Sequence, residues 1–198
     1  GTLSVGLQFD APFTRRLERN NFRQALISYQ QQRRQLILFQ DTVYQRLRGI
    51  LRTLKQYDDA IRAYQRAADL NPDDARAEGG MGSAYYAMEE YDSARSHLER
   101  AVEVDPSYAT GWGQLGWVFY VQKEYDKAQP EFEKAVDLEK DPSRNAAYRH
   151  ALGWIYLNTK QNEKAKQEFT AALEENPDLQ GAKEGLQVLA DAQASTTR

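Results

Sequence analysis

The chain has 198 residues, of which 41% are hydrophobic and 28% charged, a composition that allows a buried core. It contains no run of about 18 apolar residues, so the sequence offers no transmembrane helix. It contains no cysteine, which excludes disulfides, thiolate zinc sites and cysteine nucleophiles. Residues 1–56 carry ten basic and three acidic side chains, for a charge of +7, whereas residues 57–198 carry sixteen and twenty-six, for −10. This change of composition near Gln56 marks a candidate boundary.

The first 56 residues predict a strand-like tip followed by one long helix. Apolar and polar or small residues alternate over 2–9, which is the period of a strand. Pro12 then opens a stretch without a helix breaker until about Gln56. In this stretch apolar residues recur at steps of four and three, interrupted by Arg33 and Gln40: Phe22, Leu26, Tyr29, Leu36, Val43, Leu47, Ile50 and Leu54. Such a heptad-like seam requires a partner helix.

Short motifs in this front segment are similar to those of a known family. Residues 7–12 (Leu-Gln-Phe-Asp-Ala-Pro), residues 19–21 (Arg-Asn-Asn) and residues 25–29 (Ala-Leu-Ile-Ser-Tyr) resemble one strand-plus-helix piece of the TolC-type outer-membrane efflux proteins. The resemblance implies a cell-envelope setting. Channel activity is not expected, because such proteins need several strands and helices per subunit and residues 1–56 supply one of each.

An internal repeat occupies the rest of the chain. The motif Tyr-Asp-x-Ala begins at residues 57, 91 and 125, a spacing of 34, and the variant Asn-Glu-Lys-Ala begins at residue 162. Each motif continues with a large side chain and a second alanine at fixed steps, and an apolar-Gly pair precedes three of the motifs. The positions are Ala60, Tyr64, Ala67; Ala94, Leu98, Ala101; Ala128, Phe132, Ala135; Ala165, Phe169, Ala172; and Gly82, Gly116, Gly153.

These motifs resemble the tetratricopeptide repeat, a 34-residue helix–turn–helix unit. The resemblance implies an all-α fold: a superhelix of four helix–turn–helix repeats over 41–74, 75–108, 109–142 and 146–179, with a capping helix over 180–190. A flexible tail over 191–198 would follow, and the strand-like tip and long helix of 1–40 would precede the repeats. Two departures stand out: Arg48 occupies the small-residue slot of the first unit, and three extra residues, 143–145, should loosen the last joint.

In tetratricopeptide proteins the first helices of the units line a concave groove, which is where we expect a ligand. The resemblance places in this groove Arg76, Ser83, Tyr86, Thr110, Trp117, Tyr120, His150, Trp154, Leu157 and Asn158. Aromatic residues with a polar group are over-represented in protein interfaces. Alternatively, Trp117 and Trp154 pack between neighbouring units. The slots that bind acidic chaperone tails in some members here hold Gln45, Gly49, Gly80, Thr110 and Gln114, so an apolar or mixed peptide is expected.

The basic front helix has three interpretations. Its arginines could contact nucleic-acid phosphates or anionic lipid, although nucleic acid is not the favoured partner. They could instead face the acidic repeats of a neighbouring copy, or form a solvated face. The residues are Arg15, Arg16, Arg19, Arg23, Arg33 and Arg34.

No pattern of catalytic residues is evident. The two histidines, His97 and His150, fall in different repeats, so neither a metal site nor a cofactor is expected. The sequence therefore predicts a non-catalytic scaffold or adaptor that binds a polypeptide segment, with a cell-envelope assembly as the favoured setting. The alternative is a self-assembling subunit of a filament or ring, in which the front segment docks on the repeats of the next copy.

Overall fold

A computed structural model of the chain describes residues 12–196, and these residues are helical without any strand. The strand-like tip expected over 2–9 lies outside the described residues. The chain divides into two compact units between Thr53 and Leu54. The helices are α1 (Pro12–Leu70), α2 (Ala75–Ala87), α3 (Tyr91–Val104), α4 (Ala109–Val121), α5 (Tyr125–Leu138), α6 (Pro142–Asn158), α7 (Asn162–Glu175) and α8 (Gln180–Thr196).

Within the second unit, α2–α3, α4–α5 and α6–α7 form antiparallel hairpins that stack on one another, which confirms the predicted all-α architecture. The repeated alanines and large side chains of α3, α5 and α7 are fully buried, with 0% exposure: Ala94, Leu98, Ala101, Ala128, Phe132, Ala135, Ala165, Phe169 and Ala172. Glycine in each first helix lets the two helices approach. A Cβ on Gly116 would lie 3.0 Å from the Phe132 ring, and a Cβ on Gly153 would lie 2.5 Å from the Phe169 ring.

The turn inside each hairpin has the same backbone geometry although no glycine is present. Glu89, Lys123 and Lys160 have φ values of 63°, 62° and 61°, in the left-handed region. After α2, the amide of Glu90 donates to Tyr85 O at 2.9 Å and the amide of Glu89 donates to Tyr86 O at 3.0 Å. This pair of hydrogen bonds is a Schellman motif, which ends the helix and reverses the chain.

Residues 41–70 differ from the expected first hairpin, because they lie in the single helix α1. The residue at the turn position, Lys55, is helical here. In this first repeat, Arg48 stands at the position that Gly82, Gly116 and Gly153 occupy in the later repeats. In a hairpin, the Arg48 side chain would fill the space that Tyr64 needs. Tyr64 is 40% exposed and packs on the next repeat instead. A Cβ on Gly80 of that repeat would lie 2.5 Å from Tyr64 Cε1. The described residues therefore contain three hairpins.

The joint between α5 and α6, where the second hairpin meets the third, is held more firmly than the sequence suggested. The three extra residues lie in the first turns of α6, which has Asp141 as its N-cap, accepting from the Arg144 amide at 3.0 Å. Asn145 is buried, and its side-chain amide donates to Val136 O at 2.8 Å and to Glu139 O at 3.2 Å. The expected loosening is wrong, because these bonds tie α6 to the end of α5.

The C-terminal hairpin is braced by charge and covered by α8. Arg149 Nη1 lies 3.1 Å from Glu168 Oε2, and its Nε lies 3.1 Å from Glu175 Oε1. Ala182 and Leu189 of α8 are buried with 0% and 4% exposure, so this helix closes the core. It extends to Thr196, so the tail expected over 191–198 is helical as far as the described residues reach.

In the first unit, α1 exposes many large hydrophobic side chains. The large hydrophobic side chains between residues 22 and 51 are 45–70% exposed. None of the helices in the described part of the chain is both long enough and apolar enough to cross a membrane.

Candidate functional site

The inner face of the stacked hairpins contains a pocket with a volume of about 380 Å³. The first helices of three successive hairpins line it, so it spans two joints of the stack. Its lining residues are Ser83 and Tyr86 of α2, Thr110, Gln114 and Trp117 of α4, and Arg144 and Tyr148 of α6.

A polar contact joins α2 to α4 at the wall of this pocket. The Ser83 hydroxyl lies 2.8 Å from Gly79 O and 2.9 Å from Gln114 Oε1, so it has two acceptors for its one hydrogen. The contact holds the Gln114 carbonyl oxygen and leaves its side-chain NH₂ group as a donor. An amide donor beside an apolar wall suits the backbone carbonyl of a polypeptide.

Trp117 packs within its own hairpin and also lines the pocket. Its ring packs edge-on against Phe132 with centroids 5.0 Å apart and against Tyr120 with centroids 5.5 Å apart. The side chain is nevertheless only partly buried, and its open part lines the pocket. Trp117 is therefore both a contact between helices and part of the inner surface.

Tyr148 forms the third wall and depends on a glycine of the neighbouring hairpin. A Cβ on Gly113 would overlap the Tyr148 ring, so only glycine allows the ring to lie there. Tyr148 is 5% exposed, and burial, followed by the nearby Glu139 charge, raises its pKa to about 12. The ring thus stays a neutral phenol near neutral pH and presents an uncharged surface to the pocket.

The other residues predicted for the groove do not line the pocket. Arg76 is paired with Asp74 at 2.8 Å, and its side chain is 80% exposed. Tyr120 contacts Trp117 and Tyr125 rings, and burial raises its pKa. Leu157 packs against the core.

His150, Trp154 and Asn158 form a separate cluster on α6. Trp154 Nε1–H donates to His150 Nε2 at 2.8 Å, and Asn158 donates to Trp154 O at 2.8 Å. The Trp154 ring lies edge-on to Phe169, with centroids 5.6 Å apart. Burial lowers the pKa of His150 despite opposing contributions from the Gly181 backbone and the Glu184 charge. The structure therefore separates the aromatic residues predicted for the groove into two groups, and the roles of these residues in ligand binding stay predictions.

Sequence reasoning did not assign Arg144 and Tyr148 to the groove. Arg144 is one of the three inserted residues and Tyr148 follows them, and the insertion shifts α6 relative to the 34-residue period. The glycine at position 113 was the available signal, because an unexplained glycine in a helix indicates close approach. Arg144 Nε lies 3.1 Å from Glu139 Oε2, so the cation at the pocket is already paired.

The basic residues predicted on α1 lie in the first compact unit, which ends at Thr53. Arg16, Arg19 and Arg23 line a shallow depression of about 350 Å³ together with Asn20. Arg33 and Arg34 line another of about 320 Å³. The Arg15 side chain lies outside the described residues. No group of three or more histidine, aspartate or glutamate side chains within the described range is arranged to hold a metal ion.

Several solved structures share this fold. MamA aligns with a TM-score of 0.64 and 21% identity, over 72% of this chain and 82% of that chain. YrrB, described as a tetratricopeptide protein with an unusual peptide-binding site, aligns with a TM-score of 0.60 and 23% identity over 74% of each chain. The first repeat domain of Spaghetti (RPAP3), solved with the HSP90 peptide SRMEEVD, gives 0.57 and 20% over 61% of this chain and 94% of that chain.

No curated protein matches the chain. The resemblance of residues 1–56 to TolC-type proteins is not supported, and the cell-envelope setting that depended on it is unsupported too. The family model of the tetratricopeptide repeat matches residues 51–113 and 121–191, which is well over half of the sequence. The chain belongs to the tetratricopeptide repeat family.

Proposed function

We propose that this protein is a scaffold that binds a polypeptide segment on the inner face of its hairpins, with an apolar side chain of the ligand in the pocket. Tetratricopeptide domains are typically interaction modules without enzymatic activity. The observation that carries the proposal is the pocket of about 380 Å³, which is within the usual size range of ligand sites. The peptide-binding descriptions of YrrB and of the RPAP3 domain agree with it.

The lining indicates an apolar or mixed ligand instead of an acidic tail. The aromatic surfaces of Tyr86, Trp117 and Tyr148 supply apolar area, and Gln114 supplies a donor. Arg144 is the cation of the lining, and Glu139 partly neutralises it. A ligand carboxylate would have to compete with that ion pair, whereas an aromatic or aliphatic side chain would only displace water.

Peptide binding to the full chain tests the proposal. An array of 15-residue peptides with varied apolar, aromatic and acidic content would supply ligands, and fluorescence anisotropy of the labelled best binders would give Kd. We expect Trp117→Ala to weaken binding about tenfold or more, since central aromatic contacts commonly contribute at least 1.4 kcal/mol. Thr110→Trp should weaken it similarly by filling the pocket.

Trp112→Ala is the matched control. Trp112 is on the same helix but donates from Nε1 to Pro106 O at 2.9 Å and lies under the Lys134 ammonium, 3.8 Å from the ring centroid. It does not line the pocket, so its loss should change Kd by less than about twofold once folding is verified by circular dichroism. Equal effects of Trp112→Ala and Trp117→Ala, or acidic peptides binding best, would contradict the proposal.

A second candidate function rests on charge. Residues 1–56 carry +7 and residues 57–198 carry −10, so the basic arginines of α1 could dock on the acidic repeats of the next copy. Head-to-tail contacts of this kind form rings or open filaments. Light scattering should then show mass that grows with concentration and falls between 50 and about 500 mM salt, because salt screens exposed charges. A mass independent of salt would contradict it.

A further inference from the structure

Part of the exposed apolar surface of α1 in the first unit has a regular period. From residue 22 to residue 50 its positions follow steps of four and three without a break, which is four heptads. Seven of the nine positions are large apolar side chains that are 45–70% exposed: Phe22, Leu26, Tyr29, Leu36, Val43, Leu47 and Ile50. We call these nine positions, including Arg33 and Gln40, the seam. Exposed heptads of this length are typical of a coiled coil.

We propose that the seam pairs with the seam of a second copy of this chain, in antiparallel orientation, to form a two-helix coiled coil. In heptad notation Leu26, Arg33, Gln40 and Leu47 are a positions, and Phe22, Tyr29, Leu36, Val43 and Ile50 are d positions. Antiparallel pairs match each a position with a d position of the partner helix.

Two copies of the seam match each other in antiparallel orientation when the two-fold axis that relates them lies at the level of residue 38. Residues whose numbers add up to 76 then face each other, so every a position from 26 to 47 has a d partner. Leu26 faces Ile50 of the other copy, and the other layers are Tyr29 with Leu47, Arg33 with Val43, and Leu36 with Gln40. Two of these four layers are wholly apolar, and each of the others contains one polar side chain.

Arg33 decides the orientation. In a parallel pair its guanidinium would face the same group of the other copy in the core, and like charges there are destabilising. In the antiparallel pair its aliphatic stem packs on Val43 while the charged end reaches water. Polar residues at a positions commonly select one register in this way.

The flanking positions support the same axis. Ile37 and Phe39, which are 46% and 66% exposed, stand on either side of residue 38. Across the proposed axis Ile37 would lie beside Ile37 of the second chain, and Phe39 beside Phe39 of the second chain. These pairs add apolar contacts at the centre, beside the layers of the core. The contact would extend over about 43 Å of helix, at about 1.5 Å per residue.

The test is the mass of the full chain against concentration, by sedimentation or light scattering. We expect twice the chain mass of 22.7 kDa, independent of salt up to about 500 mM. Leu36→Glu/Val43→Glu should weaken the dimer about a hundredfold or more, since each carboxylate would be buried without a partner. Gln31→Glu/Gln45→Glu adds the same charge on the opposite face of the helix and should leave the dimer unchanged.

Because the chain contains no cysteine, introduced thiols can report the orientation. A mixture of Leu26→Cys and Ile50→Cys chains should form a disulfide-linked dimer under mild oxidation, whereas Leu26→Cys alone should not. Cross-linking of Leu26→Cys alone would mean a parallel pair and would overturn the proposal. A monomer at all concentrations would also overturn it, as would open-ended, salt-sensitive assembly, which would indicate head-to-tail docking instead. Peptide binding by the repeats is independent of all these outcomes.

Discussion

Replacing Gly153 by alanine places a methyl group against a fully buried ring of the repeats, that of Phe169. The new Cβ would lie 2.5 Å from Cδ1 and Cε1 of Phe169 and 2.9 Å from Cζ. The ring is 0% exposed, and the Trp154 ring meets it edge-on at 5.6 Å. On its α8 side Gly185 is in contact too, since a Cβ there would overlap the same ring. Phe169 therefore has no free space into which it can move.

The expected magnitude follows from two opposing terms. Overpacking a core by one methyl group costs about 1–3 kcal/mol, and the confinement of Phe169 places this site at the upper end. Alanine is favoured over glycine in a helix by about 1 kcal/mol. We therefore expect Gly153→Ala to lower the free energy of unfolding by about 1–2 kcal/mol. Gly116→Ala should change it by less than about 1 kcal/mol, because its Cβ would lie 3.0 Å from Phe132, at the edge of tolerable contact.

Urea unfolding followed by circular dichroism and tryptophan fluorescence measures these changes. Gly49→Ala is the matched control for propensity, because no atom lies within 4 Å of a Cβ there, and it should stabilise α1 helicity in a thermal melt. Combining Gly153→Ala with Phe169→Leu should cost less than the sum of the single changes, since the smaller side chain leaves room. A Gly153→Ala protein as stable as the wild type would refute the packing argument.

Three further changes should perturb the repeats in distinct ways. Burial keeps the pKa of His150 below its usual 6.5, so the unfolded chain takes up the proton first and stability is lost as pH falls from about 6.5 through the folded-state pKa. Thermal melts from pH 8 to 5 should show this loss, and His150→Gln, which can still accept from Trp154, should reduce it. Arg149→Ala should lower the unfolding free energy by about 1–2 kcal/mol in urea, because the two partly buried glutamates of α7 lose their partner. Asp141→Ala should cost about 1 kcal/mol and Asp141→Asn much less, because asparagine can still cap α6 by accepting from the backbone amide of Arg144.

The core of the hairpins was predictable because their geometry repeats in the sequence. Small residues and large residues recur at steps of 34 residues, with a last step of 37, and each pair such as Gly116 and Phe132 identifies a contact between two helices. Helix period and repeat length together fixed which faces are buried. The left-handed turns at Glu89 and its equivalents were not predicted, because no glycine marks them in the sequence.

The structure of the first repeat, residues 41–74, was not predictable from the repeat pattern alone. The second half of this repeat matches the pattern, whereas its first half does not. Tyr57, Ala60 and Ala67 occupy the expected slots, yet the residue that should be small is Arg48. One large side chain at the point of closest approach removes the contact that makes a hairpin. The helix then continues to Leu70.

The pocket was only partly predictable. Ser83, Tyr86 and Trp117 follow from the family geometry, whereas Tyr148 lies there because Gly113 leaves room for its ring. Trp154 corresponds to Trp117 in the next repeat. It packs on Phe169, which is also in contact with α8, and it does not line the pocket. The repeat pattern gives the slots, and local neighbours decide which slots are open.

The longer α6 has a consequence for how a ligand could be aligned. A stack of identical hairpins offers equivalent positions one unit apart, so an extended ligand could slide between them. Here α6 has 17 residues whereas α2 and α4 have 13, and its additional first turn carries Arg144 to the pocket rim. The insertion breaks the translational symmetry of the inner face, so a bound segment would have one preferred frame instead of several.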